Sequence, residues 1–168
     1  GAAHHSKVIV IDDILAFCGG IDVTAGRWDT REHADDNPCR GLPGALSKPW
    51  HDVATAVSGA TAAALGDLVR ERWRRATGET VAPPSHCGSI WPEGLSPDFY
   101  NVPTALVRTF PEHQNWAEVR EVEALYEAAI ASARRTIYIE TQYLASRKIA
   151  ASMASRLKEK DGPEIIVI

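Results

Sequence analysis

Residues 5–22, HSKVIVIDDILAFCGGID, hold a histidine, a lysine, aspartates and a glycine pair at intervals that suit one kind of chemistry. His5 and Lys7 are two residues apart, so both point to the same side if the apolar run that follows is a strand. A lysine beside apolar strand residues is costly unless an anion meets it. A neighbouring imidazole can serve as a nucleophile or proton shuttle near neutral pH. Asp12, at the end of the run, is a carboxylate able to orient one of the two. Gly19 and Gly20 present backbone without Cβ atoms, where a ligand can come close, and Asp22 follows them. The set describes a pocket for a phosphate group with a nucleophile already inside it.

The elements that must position these groups follow from hydrophobic pattern. Residues 8–11 are β-branched and uninterrupted, which reads as a strand buried on both faces. Asp12 and Asp13 make a turn, and residues 14–18 run back as a hairpin partner in which Cys18 is a small buried hydrophobe. A polar stretch occupies residues 26–33, and the Gly- and Pro-rich residues 38–49 read as an irregular loop. Residues 54–57 are β-compatible and end at Ser58-Gly59.

Residues 60–76 read as a helix, with Leu65, Leu68, Val69, Trp73 and Ala76 on one face and Arg70, Glu71 and Arg74 facing out. Gly78 is placed to stop it. The arginines between 70 and 75 read as a solvated helix end. Residues 81–103 form a second Pro- and Gly-rich connection carrying Trp91, Phe99 and Tyr100. A strand is expected over 105–110, a turn over 111–115, and an amphipathic helix over 117–133 begun by a capping box of Asn115 and Glu118. The strand 136–139, the helix 146–160 stopped by Gly162, and the strand 164–168 make a βαβ unit, so the two strands should be parallel. Ligands gather beyond the carboxyl ends of such strands, where Glu140-Thr141-Gln142-Tyr143 lies.

The chain of 168 residues has an ordinary globular composition, 45% apolar and 24% charged, with a net charge of −4. That charge disfavours a nucleic-acid partner, which usually meets a basic surface. No apolar run is long enough to cross a bilayer. Cys18, Cys39 and Cys87 lie far apart, and no His/Cys grouping has zinc spacing, so no metal site is expected. The chain starts at Gly1 close before the chemical strand and stops inside another, so residues 1–168 read as a half-domain cut at both ends from a longer polypeptide. Localisation stays open between soluble and peripheral membrane.

The spacing His5-x-Lys7, then Asp12, then Gly19-Gly20-x-Asp22 resembles the HKD signature of the phospholipase D superfamily. The likeness continues through Gly26-Arg27-Trp28-Asp29-Thr30 with His33, Pro49-Trp50-His51-Asp52-Val53, Arg72-Trp73-Arg74 and Ile137-Tyr138-Ile139-Glu140-Thr141-Gln142-Tyr143. It looks like phospholipase D proper rather than the small nucleases of the superfamily. The resemblance implies an α/β fold, a mixed sheet flanked by helices, forming half of a three-layer α/β/α enzyme. It implies removal of a glycerophospholipid headgroup, such as phosphatidylcholine to phosphatidic acid, through a phosphohistidine, with water or another alcohol as acceptor. His5 would be the nucleophile or its acid/base partner, and Lys7 would stabilise charge on the phosphate oxygens. Asp12 would hold an imidazole in its tautomer. Gly19, Gly20, Asp22, Glu140 and Gln142 would contact the phosphate or substrate. No cofactor is implied, with calcium possible outside the chemical step; the partner is a phospholipid at a membrane surface, and no nucleic acid.

Two departures stand out. Thr141 occupies a place where the family often has asparagine, and threonine lacks an amide's paired donor and acceptor. More seriously, the family carries two HKD motifs, and His-x-Lys occurs here once. The chain therefore reads as a fragment of a two-motif enzyme, as a one-motif phosphodiesterase or nuclease that completes its site in a dimer, or as a non-catalytic lipid-binding module. Cardiolipin and phosphatidylserine synthases share the motif and are an alternative enzyme class.

Overall fold

In the computed structural model of the chain, β1 (Lys7–Ile11) and β2 (Leu15–Gly19) form an antiparallel hairpin in which Lys7 faces Gly19 and Ile11 faces Leu15. Residues 5–40, 48–85 and 88–168 are described. Asp12 and Asp13 adopt φ of 51° and 57°, and the Ile14 N–H donates to the Ile11 carbonyl at 3.0 Å. Left-handed backbone at both central positions is what a type I′ hairpin turn requires. β3 (Ala54–Ser58) joins the free edge of β2, also antiparallel. Gly59, at φ 66°, turns the chain directly into α1 (Ala60–Thr77), and Gly78 at φ 82° ends that helix with its N–H on the Arg74 carbonyl, as expected.

One face of this sheet is packed. Ala16, Ala62 and Leu65 are buried together, with Val8, Val10, Cys18, Val57 and Leu68 against them. The other face of β1 is open: Ile9 and Ile11 are 43% and 40% exposed. The expectation of burial on both faces is thus corrected, because an uninterrupted apolar run does not say which face a helix will cover.

A second correction concerns α1. Ala62, Leu65 and Gly66 are buried, whereas Val69 and Trp73 are largely exposed. An 18-residue helix is about 27 Å long and a five-residue strand about 16 Å, so the helix overhangs the sheet and its later turns find no strand beneath them. Arg70 does not face out. It donates to both carboxylate oxygens of Asp13 at 2.9 and 2.7 Å and also to Asp67, tying the hairpin turn to the helix. Gly66 makes room for that pair, since a Cβ there would run into the Asp13 carboxylate. Arg74 and Arg75 both donate to Glu71, whose carboxyl is held at about 2 by them, so part of the charge of the basic helix end is offset within the helix.

The residues through Leu106 form one compact unit and Val107–Ile168 another. In the second, β4 (Thr109–Phe110) pairs with β5 (Val119–Arg120) across a tight turn closed by reciprocal hydrogen bonds between His113 and Trp116. The expected strand 105–110 is therefore shorter. The helix expected from 117 begins later, as α2 (Glu121–Ser132), with no side-chain cap. Residues 117–120 are drawn into the hairpin because Glu121 takes three hydrogen bonds from Arg108, which fixes the strands in register and overrides the Asn115/Glu118 cap.

β6 (Thr136–Ile139) and β7 (Glu164–Val167) are parallel and joined through α3 (Arg147–Leu157), as the βαβ pattern predicts. Ser146 caps α3 by accepting from the Ile149 N–H. The helix ends at Leu157, before the expected Gly162, where Arg156 turns to the Ala133 carbonyl and to Glu159. Ile130, Ile137 and Met153 form the core of this unit. The α/β class holds, although among the described residues the strands form three small sheets, antiparallel in two and parallel in the third, instead of one mixed sheet. Residues 41–47 of the first expected loop, and His86 and Cys87 in the second, lie outside the described residues.

Candidate active site

His5 and Lys7 meet at the start of β1. The Lys7 Nζ lies 2.8 Å from His5 Nε2 and 3.3 Å from the His5 carbonyl. An ammonium has three protons to give and no lone pair, so a charged Lys7 requires the lone pair on Nε2 and the imidazole proton on Nδ1. On its other side Lys7 reaches Asp22 at 3.2 Å, giving a continuous contact from carboxylate to ammonium to imidazole. The Lys7 side chain is 15% exposed while His5 is exposed, so the cation is partly withdrawn from water and the nucleophile candidate is not. Asp22 would meet a phosphate through the ammonium, because two anions in direct contact repel.

Gly19 ends β2 and Gly20 leads on toward Asp22, and their lack of a side chain is used by protein. A Cβ on Gly19 would stand 2.6 Å from the Ala54 Cα and the Val53 carbonyl, and one on Gly20 would collide with the Asp52 carboxylate. The Gly20 N–H donates to the Val53 carbonyl at 3.2 Å. These glycines let β3 begin against β2 and so set the path of the chain into Asp22.

Asp12 does not join this cluster. It sits in the hairpin turn at the opposite end of β1, five residues beyond Lys7, which is roughly 16 Å of strand. Within this chain it is therefore too far away to orient His5 or Lys7; its neighbour Asp13, through Arg70, secures the turn. Glu140 and Gln142 belong to the second unit, just past the carboxyl end of β6. Glu140 accepts from the Tyr138 hydroxyl at 2.7 Å, and Gln142 is exposed in the bend that follows.

Past Asp22 the chain forms a 3-10 turn (Ala25–Arg27), and the Arg27 guanidinium stacks 3.7 Å above the Trp50 ring. Asp29 then takes a 2.5 Å hydrogen bond from Arg40, whose side chain is 1% exposed and also donates to the Ala34 and Asp35 carbonyls. His33 Nδ1 lies 2.6 Å from the same carboxylate. Arg40 is the main reason the Asp29 carboxyl is held at about 2, against an ordinary value of 3.8.

A depressed carboxyl stabilises the fold above its unfolded value and loses that contribution as pH falls through the folded one. Opening of residues 29–40 should therefore rise between pH 3.8 and about 2. Amide exchange across this segment should show that rise in the native chain and lack it in Asp29→Asn; identical profiles would remove the role given to Asp29.

Among the described residues no group of three or more His, Cys, Asp or Glu side chains is arranged to hold a metal ion. No helix there is long and apolar enough to cross a membrane. The family model described as phospholipase D matches residues 2–88, the stretch from the His5 strand through β3 and α1. The chain belongs to the phospholipase D family.

Phospholipase D alpha 1 of Nicotiana tabacum is 28% identical over 195 aligned positions, covering 83% of this chain and 24% of the relative. Phospholipase D1 of Schizosaccharomyces pombe is 44% identical over 50 residues, 29% of this chain and 4% of its own length. Phospholipase D1 of Cricetulus griseus is 58% identical over 31 residues, 18% of this chain and 3% of the relative. The chain thus spans at most about a quarter of the length of these phospholipases D.

Two contacts in the segment that follows Asp22 escape a reading of the sequence alone. Arg40 is a single arginine in a loop, and its link to Asp29 spans eleven residues with no periodicity to announce it. The stacking of Arg27 on Trp50 likewise joins two motifs that are only visible separately in the chain.

Proposed function

We propose that this chain supplies the first half of a phospholipase D-type site that removes or exchanges the headgroup of glycerophospholipids. The observation that supports it is the Asp22–Lys7–His5 chain of contacts at the head of β1. A His5 ring nitrogen attacks phosphorus, the bond to the headgroup oxygen breaks, and the headgroup leaves as its alcohol after taking a proton. Water or a second alcohol then attacks the phosphohistidine, gives up its proton, and returns His5 with release of phosphatidic acid or a new phosphatidyl ester. Lys7 turns from Nε2 to a non-bridging oxygen, which frees the nucleophile and neutralises the charge that builds there. Asp22 keeps the ammonium aimed during that exchange.

Entering and leaving atoms lie on opposite sides of phosphorus in such displacements. One imidazole cannot attack from one side and protonate the leaving oxygen on the other. The sequence contains a single His-x-Lys, so the second imidazole comes from another motif-bearing segment or another copy. The test is formation of phosphatidylethanol from phosphatidylcholine and ethanol. It is run on the 168-residue chain and on the longest natural polypeptide that contains it. Product should come from a preparation that brings two motifs together and not from the monomeric chain. Product from the monomer would overturn the two-imidazole requirement. A two-motif preparation that cleaves DNA and spares the lipid would move the chain to the nucleases.

A further inference from the structure

Asp22 reaches Lys7 from a segment that has already left the sheet, and its side chain is 48% exposed. An ion pair so open to water gains little over hydration, so it cannot by itself fix the backbone that carries it. The backbone has to be held by other contacts. On the near side the Gly20 N–H donates to the Val53 carbonyl at 3.2 Å, and Gly20 lies so close to the Asp52 carboxylate that no Cβ fits between them. On the far side the chain winds tightly: the Thr24 N–H donates to the Asp22 carbonyl and the Arg27 N–H to the Thr24 carbonyl, both at 3.0 Å. The Arg27 guanidinium then stacks 3.7 Å from the centre of the Trp50 ring, in the same short segment as Val53.

These contacts close a ring that runs from Gly20 through Asp22, Thr24, Arg27, Trp50 and Val53 back to Gly20. We infer that Arg27 and Trp50 are a positioning pair that closes this ring and so keeps the Asp22 carboxylate on the Lys7 ammonium. The inference rests on the phosphate site proposed above and names what aims its carboxylate. Without the stack, residues 22–27 would be tied to the start of β3 through Gly20 and could pivot there. The residue types suit the task. A guanidinium is planar and weakly hydrated, and an indole offers the strongest aromatic face to a cation. Among the described residues the buried Trp50 N–H has no hydrogen-bond partner, so the ring acts here through its face.

The test is a double-mutant cycle in a preparation holding both motifs, read as kcat and KM for phosphatidylethanol formation alongside urea midpoints. Arg27→Gln should lower kcat by about three- to tenfold, the span of a partly desolvated cation–π contact, with KM and midpoint near their native values. Arg27→Lys should recover part of that loss, and Trp50→Phe, which keeps an aromatic face, should lose less than Trp50→Leu. Added to Asp22→Asn, Arg27→Gln should cost nothing further, because the charge it positions is already gone. Losses that multiply would mean that the pair acts elsewhere and would overturn the inference. Native kcat in both Arg27→Gln and Trp50→Leu would also overturn it. Losses that follow the urea midpoint and are not relieved in Arg27→Lys or Trp50→Phe would make the stack a stabilising contact only, which overturns it too. If the native preparation forms no phosphatidylethanol, the phospholipase D reading itself falls, and the positioning role goes with it.

Discussion

Lys7→Met lowers phosphatidylethanol formation by roughly 10²–10³-fold in a preparation holding both motifs, the loss seen when one donor to a developing oxyanion is removed. Methionine keeps the length and the packing of the stem while deleting the ammonium, so the strand should form unchanged. Lys7 is where three lines converge: it touches the His5 ring, it is held by Asp22, and it is the cation of the pair least open to water. Removing it also leaves the Asp22 carboxylate without its partner, facing the incoming phosphate. The expected pattern is a fall in kcat/KM with circular dichroism and unfolding midpoint close to the native chain. Asp22→Asn should give a smaller loss, because the ammonium remains and only its aim is relaxed. Full activity in Lys7→Met would refute the role assigned to the ammonium.

Gly19→Ala should destabilise the first unit by about 1–3 kcal/mol, the usual cost of forcing an extra carbon into a filled space. The new Cβ would lie 2.6 Å from the Ala54 Cα and the Val53 carbonyl, and neither is the end of a flexible side chain that could swing away. Because Gly19 pairs with Lys7 on one side and Ala54 on the other, relief of the clash by moving β2 displaces Lys7 as well. The variant should therefore lose stability in urea and activity together. Its activity deficit should persist at temperatures where it is still folded. An unchanged midpoint would mean that the start of β3 yields freely.

Several site features were legible without coordinates for a definite reason. The period of two along a strand places His5 and Lys7 on one side whatever the rest of the chain does, and 2.8 Å between them is the outcome. The hairpin after Ile11, α1 and its stop at Gly78, and the parallel βαβ unit are likewise local patterns whose signal sits within a few turns or strands. Asp12 was misread for the same reason in reverse. Its place in the motif suggested that it orients His5 or Lys7, but an extended strand carries it away from both while the reversal after Asp13 brings Asp22 back.

Sequence by itself determined the types of the reacting groups, the side of the strand they share and the α/β class, since each follows from residue chemistry and backbone periodicity. Tertiary structure decided which carboxylate serves Lys7, what the glycine pair makes room for, which face of β1 a helix covers and what Arg70 and Arg40 hold. Those choices depend on contacts between residues many positions apart, and strand register and the finite length of a sheet set them, neither of which any short stretch of residues encodes.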